Sequence, residues 1–491
     1  MLFNTFQFAL FFIIVYSLYL KSNHRWQNAI LLVASYIFYG SWDWRFLSLI
    51  VLSTILDFYC GAKIYNSPQQ SKRKTFLILS IFGNLTILGF FKYFNFFASN
   101  LQTLLYHFNV AIQPRFLNIL LPVGISFYTF QTMSYTIDIY RKKLEPTTKF
   151  FDFALFVAFF PQLVAGPIER AKHLLPQILS PRKVTLDKFY QGLYLIFWGL
   201  FMKTFVADNL AQIVDPVFTS SVRLTGIRVL FALYAFAFQI FCDFAGYSNI
   251  ARGLGKVMGF DIMVNFNLPY LATNPREFWQ RWHISLSTWL KDYLYIPLGG
   301  SKGSKLKTYR NLIITMLLGG LWHGAAWTFI LWGAYQGTIL IIHRLFSPLL
   351  AKIPQPKSAL AQKAWFALRV VFFFHVTCLG WLIFRAESLA QIGQMIHALV
   401  FSFQLMPPIA AQLTPSAYLF AIVFWLKIHI KDLPFHTAVL LIIQWYQYKK
   451  NDLLAVFNSS TFIKVIFYYT CFLSIFFFGV AKKIQFIYFQ F

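Results

Sequence analysis

Charge is what this chain has least of. Only 12% of its 491 residues are Asp, Glu, Lys or Arg, against roughly 25% in a globular protein. Acidic residues are the scarcest, 16 beside 43 basic ones, for a formal net charge of +27. The deficit excludes a chain that shows most of its surface to water, and with it the two or three soluble domains that the length would suggest. Cysteine is also scarce. Cys60, Cys242, Cys378 and Cys471 are far apart, lie in or beside apolar segments and have no metal-ligand spacing. They read as packing residues rather than a disulfide framework or a metal site. There is no low-complexity tail, no internal repeat, and no Gly-x-Ser-x-Gly elbow, zinc motif or dinucleotide fingerprint. Met1–Leu20 lacks the basic leading region and small-residue cleavage site of a secretion signal, so it reads as a first span.

What is there is apolar. Hydrophobic residues make up 58% of the chain and the mean hydropathy is +0.58. Met1–Leu20, Phe116–Ile137, Asn311–Ile342 and Ser388–Leu426 contain no formal charge, and shorter apolar segments such as Thr75–Phe91 lie between them. The pattern predicts an all-α integral membrane protein with about eleven crossings, some re-entrant or interfacial. The runs lack the two-residue alternation of a membrane barrel. Crossings at 5–20, 28–40, 45–64, 76–97 and 116–139 put Lys21–Arg25, Lys72–Lys74 and Arg141–Lys143 on one side. That side is the cytoplasm, because basic loops gather there. The same rule accounts for the positive charge without nucleic acid as a partner. Residues 1–491 read as one membrane domain in a lipid bilayer.

Few polar residues interrupt the apolar background. Asn274-Pro275-Arg276-Glu277 has the residues of a capped helix start, and the helix is expected to run through Trp282-His283 towards Leu290, with Glu277 and Arg281 paired one turn apart. Its tryptophans suit a membrane interface. Asn311–Ile342 is too long for one upright span and must tilt, kink or break, with Gly319-Gly320 as the expected place. Gly320 and Gly324 form a small-xxx-small pair that admits a neighbouring backbone. His323 stands between them, with Trp322 beside it and Trp327 expected one helical turn on. A neutral imidazole there is a candidate general base for a hydroxyl attacking an acyl thioester; the plainer account is a structural histidine bonded to a neighbouring helix. His283 is its candidate companion, or else an interfacial residue that orients its helix. The Gly299–Lys307 stretch fails the spacing of a phosphate-binding loop. Lys302, Lys305 and Lys307 are therefore cytoplasmic-loop lysines first, and only secondarily an electrostatic lure for the phosphates of coenzyme A. Asp243, a carboxylate inside an apolar segment, is expected to orient a histidine or arginine or to line a water path.

The chain resembles the membrane-bound O-acyltransferase family, in its bacterial alginate O-acetylase-like branch. The resemblance runs over nearly the whole length and rests on Ala34–Gly40 with Trp42–Arg45, Pro161–Ile168, Asp243–Ser248, Asn265–Tyr270, Glu277–Leu290 and Gly320–Gly324. It implies a funnel-shaped helical fold with His323 as the catalytic histidine and His283 as the second characteristic one. It also implies acetyl transfer from a cytoplasmic thioester, acetyl-coenzyme A or an acylated carrier protein, through the bacterial inner membrane. An extracytoplasmic acetyltransferase partner would then modify a polysaccharide. Peptidoglycan O-acetylation and D-alanyl transfer to teichoic acid are alternatives within the family, and a transporter or polysaccharide exporter is the alternative outside it. Asn249 and Gln336 depart from the family's usual residues. The tail Phe486–Phe491 resembles the aromatic tail of bacterial relatives; Tyr488 is either an interfacial anchor or a transient acyl carrier.

Overall fold

The computed structural model describes residues 1–110, 116–117, 119–219, 222, 224–354, 356–403, 432–480 and 486–487. Among them every regular element is helical and there is no strand. That is the outcome a bilayer imposes, since its core offers no water to backbone N–H and C=O groups and a helix satisfies them within one segment. Seven helical stretches are long and apolar enough to cross a membrane: His24–Asn66, Gln70–His107, Leu186–Phe218, Gly226–Val257, Trp327–Leu350, Ala359–Arg385 and Thr461–Phe478. Phe6–Leu20 and Leu389–Phe401 are apolar but shorter. Seven such stretches stand where about eleven crossings were expected from the roughly 20-residue span rule; the 43 residues of His24–Asn66 hold two helices separated by a tight turn at Trp44–Phe46.

The N-terminal helices are α1 (Phe6–Leu20), α2 (His24–Asp43), α3 (Leu47–Asn66), α4 (Gln70–His107) and α5 (Ile125–Tyr140). Side-chain caps set the early boundaries: the Thr5 hydroxyl accepts from Phe8 N–H and the Asn23 carbonyl from Trp26 N–H, both at 3.2 Å. Of the three basic stretches, Lys21–Arg25 spans the α1–α2 turn, Lys72–Lys74 lies at the start of α4, and Arg141–Lys143 directly follows α5. Two boundaries differ most from expectation. Helix α4 continues ten residues past 97 and, at 38 residues, is about 57 Å long at 1.5 Å per residue. Helix α5 starts only after Gly124, which has a left-handed φ of 76°. Short helices α6 (Phe150–Ala158), α7 (Phe160–Leu163) and α8 (Ala171–Leu179) follow.

The centre is built on α9 (Leu186–Leu200), a π-helical turn at Phe201–Ala207, α10 (Asp208–Phe218) and α11 (Gly226–Val257). Helix α11 is buried along most of its length. It approaches α9 backbone to backbone, so that a Cβ added at Gly246 would meet the Gly199 carbonyl oxygen at 2.8 Å. Then come α12 (Pro275–Arg281), α13 (Ile284–Leu290), α14 (Lys305–His323), α15 (Trp327–Leu350), α16 (Ala359–Arg385), α17 (Leu389–Phe401), α18 (Asp432–Lys450) and α19 (Thr461–Phe478). The apolar run Ser388–Leu426 opens as α17, and its part beyond residue 403 lies outside the described residues. All four cysteines are buried.

The long run Asn311–Ile342 breaks, but not at Gly319-Gly320. Helix continues to His323, and Gly324, Ala325 and Ala326 carry the chain into α15. Gly320 instead serves the close approach expected of it: a Cβ there would strike the Phe329 carbonyl oxygen and come within 3.1 Å of Gly333 Cα. A Cβ on Gly319 would meet only the end of the Leu290 side chain, at 3.2 Å. Gly320→Ala is accordingly expected to cost about 1–3 kcal/mol through overpacking, read as a lowered unfolding midpoint in detergent, while Gly319→Ala stays near wild type. Equal midpoints for the two variants would contradict the α14–α15 contact.

Candidate active site

The polar stretch before α12 folds much as its residues dictate. Asn274 accepts from Glu277 N–H at 2.9 Å, and Glu277 pairs with Arg281 at 2.9 Å. The Glu277 carboxylate reaches one residue further back than a capping box would have it, to the N–H and hydroxyl of Thr273. The helix does not reach Leu290. It ends at Arg281, Trp282 is extended, and His283 takes a left-handed conformation, φ 41° and ψ 55°. Such a backbone is uncommon for a residue with a Cβ and persists where its surroundings over-determine it. Here the segment before α12 does so. Asn267 N–H donates to Arg281 O, Ile284 N–H to Asn265 O, and the Ser285 hydroxyl to the Asn265 side-chain carbonyl at 2.6 Å. Trp282 and Trp289 are buried within the protein, and Trp279 is half-buried. Trp282 is stacked on Phe278 and packed against Trp381, and Trp289 lies 3.8 Å from Phe130 in parallel stacking while its indole N–H donates to Phe130 O. Their large ring faces find better partners in the core than lipid headgroups would supply.

The two histidines come together around Trp322. His323 ends α14, buried, its ring edge-on to Trp322 at 4.9 Å, Trp332 at 5.1 Å and Phe384 at 5.4 Å. His283 is wholly buried, its ring 4.6 Å from Phe244 and 6.0 Å from Trp322. Trp322 is therefore a wall common to both. A cavity of about 280 Å³ opens on one side of this group, lined by His323, Trp322, Phe127, Ser126, Trp42 and Lys92 among others. His283 is not on its lining. The carbonyls of the last turn of α14 are met from α4: the Tyr93 hydroxyl donates to Leu321 O at 2.8 Å, and Lys92 Nζ donates to Trp322 O at 2.6 Å and to His323 O at 3.0 Å. An imidazole at the edge of such a cavity can exchange a proton with a hydroxyl bound there.

Other residues singled out by sequence lie elsewhere. Trp327 is exposed, and its indole donates to Asn100 at 2.8 Å; the break after His323 removes the one-turn relation that would have brought it to the histidine. Lys302, Lys305 and Lys307 are exposed at the opposite end of α14, about 27 Å along the helix from His323. Among the described residues Asp243 orients neither histidine nor arginine. It pairs with Lys203 on the π-helical turn at 2.7 Å, Lys203 also binds Asp208 at 2.8 Å, and the other Asp243 oxygen accepts from Ile487 N–H at 2.6 Å. Phe486 packs on Tyr247 at 4.9 Å and Phe244 at 6.1 Å. Tyr488 lies outside the described residues. Sequence reasoning missed Lys92, Lys203, Trp332 and Phe384. A signal existed for the lysines, since each is a lone cation within an apolar stretch; nothing local marks Trp332 or Phe384, which reach His323 only through the packing of α15 and α16.

The pattern of the membrane-bound O-acyltransferase family matches residues 140–384. The probable alginate O-acetylase AlgI of Azotobacter vinelandii is 45% identical over 402 residues, 82% of this chain and 77% of that protein. The protein of the same description from Pseudomonas aeruginosa is 44% identical over 403 residues, covering 82% and 74%. The peptidoglycan O-acetyltransferase of Helicobacter pylori is 36% identical over 400 residues, covering 75% and 73%.

The buried ion cluster yields a prediction of its own. Lys203→Met leaves two buried carboxylates without their cation, a change expected to cost about 3–5 kcal/mol and to lower the unfolding midpoint in detergent. The triple variant Lys203→Met/Asp208→Asn/Asp243→Asn removes both charges as well and recovers most of the loss. A triple variant no more stable than the single one would show that charge balance is not what the cluster supplies.

Proposed function

The chain belongs to the membrane-bound O-acyltransferase family and is a membrane O-acetyltransferase; from that premise we propose that it takes an acetyl group from a cytoplasmic thioester and passes it outward for O-acetylation of an extracytoplasmic polysaccharide. The donor in this reading is acetyl-coenzyme A, the membrane is the bacterial inner membrane, and a separate extracytoplasmic transferase completes the modification. The observation that carries the reading is His323 at the edge of a cavity inside the helical domain, with His283 one tryptophan away.

In the reaction, His323 accepts the proton of an acceptor hydroxyl as its oxygen attacks the thioester carbonyl. The new C–O bond forms, the carbonyl electron pair moves onto oxygen, and the tetrahedral oxyanion collapses with cleavage of C–S. The thiolate leaves with the proton that His323 returns. The products are an ester and a free thiol. His283 holds Trp322 and Phe244 in place rather than meeting the cavity. The acceptor hydroxyl in this scheme is the phenol of Tyr488, which then hands the acetyl group to the partner. What supports it is the burial of Phe486 and Ile487 beside Phe244, whose ring packs on His283. A tail anchored only at an interface would have no cause to lie there.

The similarity to a peptidoglycan O-acetyltransferase favours one second reading, in which the acetylated glycan is peptidoglycan. An exporter reading of the embedded histidines has no comparable support, because the relatives are acyltransferases by description.

Two expected outcomes follow. In proteoliposomes supplied with acetyl-labelled acetyl-coenzyme A, wild type consumes the thioester and His323→Ala of matched folding is slower by about 10³-fold or more. Turnover that persists in the variant removes His323 as the base. Tyr488→Phe keeps the aromatic ring and deletes the hydroxyl, so protein-bound label and glycan acetylation are both lost. Unchanged acetylation in that variant would rule out the carrier step.

A further inference from the structure

Lys92 has no place in the reaction as written so far, yet it occupies the same cavity as His323. It lies in α4 at a depth where a lysine is costly unless it serves a partner or a cavity. Among the described residues no carboxylate pairs with it. Its hydrogen bonds go instead to Trp322 O at 2.6 Å and His323 O at 3.0 Å, and its ammonium lies 5.9 Å from the Trp322 ring centre. A helix C-terminus carries partial negative charge and open carbonyls, and a cation there satisfies both. An ammonium has three N–H groups. Two are committed to α14, and since the side chain also borders the cavity, the third is available to a group bound there.

We propose that Lys92 serves the transfer reaction in two ways: it fixes the helix end from which His323 projects, and it gives the cavity a positive charge where the acyl oxygen becomes negative. This deepens the acyl-transfer reading above and rests on it. The proton that moves is the acceptor's, through His323, and the charge that Lys92 favours is the oxyanion that forms with the C–O bond and vanishes when C–S breaks. The ligand class suited to such a cavity is a neutral acyl ester or thioester passing through an anionic intermediate. A preorganised donor or charge aimed at a developing oxyanion acts on the chemical step more than on binding.

The test uses the full chain in proteoliposomes with acetyl-coenzyme A as donor, comparing wild type with Lys92→Arg, Lys92→Gln and Lys92→Met. Two quantities are read: steady-state turnover, split into kcat and KM, and the rate at which diethyl pyrocarbonate modifies His323, followed by peptide mass. Lys92→Met is expected to lower kcat by about 10²-fold with KM within about 2-fold, and to speed His323 modification several-fold as the helix end loosens. Lys92→Arg retains the charge and recovers most of kcat. Lys92→Gln offers two N–H donors but no charge and stays as slow as Lys92→Met; should the methionine variant fail to fold, it carries the same comparison. Wild-type kcat in the glutamine variant, a loss confined to KM, or His323 modification unaltered by removal of the charge would each overturn the proposal. The second readout separates it from the reading beneath it. If wild type turns over no thioester while His323 modification still responds to Lys92, the transfer reading fails and the positioning of His323 by Lys92 stands.

Discussion

A helix that ends inside a membrane protein must find donors for its last carbonyls, and the end of α14 is where this structure meets that requirement. An unmet carbonyl buried there costs several kcal/mol. The donors come from α4, one hydroxyl from Tyr93 and one ammonium from Lys92. Because they are there, α14 can stop at His323, the chain can turn through Gly324–Ala326, and α15 can return alongside. That return needs Gly320 and Gly333 at the contact, and it brings Trp332 against the His323 ring. The cavity, the histidine at its edge and the aromatic box around it thus depend on how one helix is closed off.

The two histidines are held by different physics. His323 sits at a helix end fixed through its backbone carbonyl. His283 sits in a left-handed backbone conformation fixed by the hydrogen bonds of Asn265 and Asn267 on either side of it. Neither support comes from the residues adjacent in sequence. Trp322 lies against both rings, 4.9 Å from that of His323 and 6.0 Å from that of His283. Helix α11 joins a further element to this group. Phe244 packs on His283, and its neighbour Asp243 holds the backbone of Ile487 while paired to Lys203. One buried helix therefore touches the second histidine and the end of the chain within two successive residues.

Membrane residence, helical class and the family were all legible in the residues. Long charge-free runs leave no alternative to lipid, and the blocks Glu277–Leu290 and Gly320–Gly324 are too specific to mistake. The errors have a common origin. Local pattern alone extends the helix from Pro275 through His283, places the break in Asn311–Ile342 at the glycines, and puts Trp327 one turn from His323. Each assumed that a local pattern continues until a local breaker stops it. In the fold, hydrogen bonds from distant segments stop the helices instead, and Gly320 is used for packing rather than for bending. Asp243 shows the same limit: its position in an apolar run marked it as paired, but Lys203 is forty residues away and could not be read as its partner.

The sequence by itself determined that the chain lies in a membrane, that it is helical, which family it joins and which histidine stands in the most specific block, because composition and motif are properties of residues taken in order. Only the tertiary structure decided where α14 ends, that His283 and His323 share Trp322, and that Lys92 caps the helix carrying one of them. Those are contacts between segments as much as 231 residues apart, and they are set by which carbonyls and charges need partners once the helices have packed.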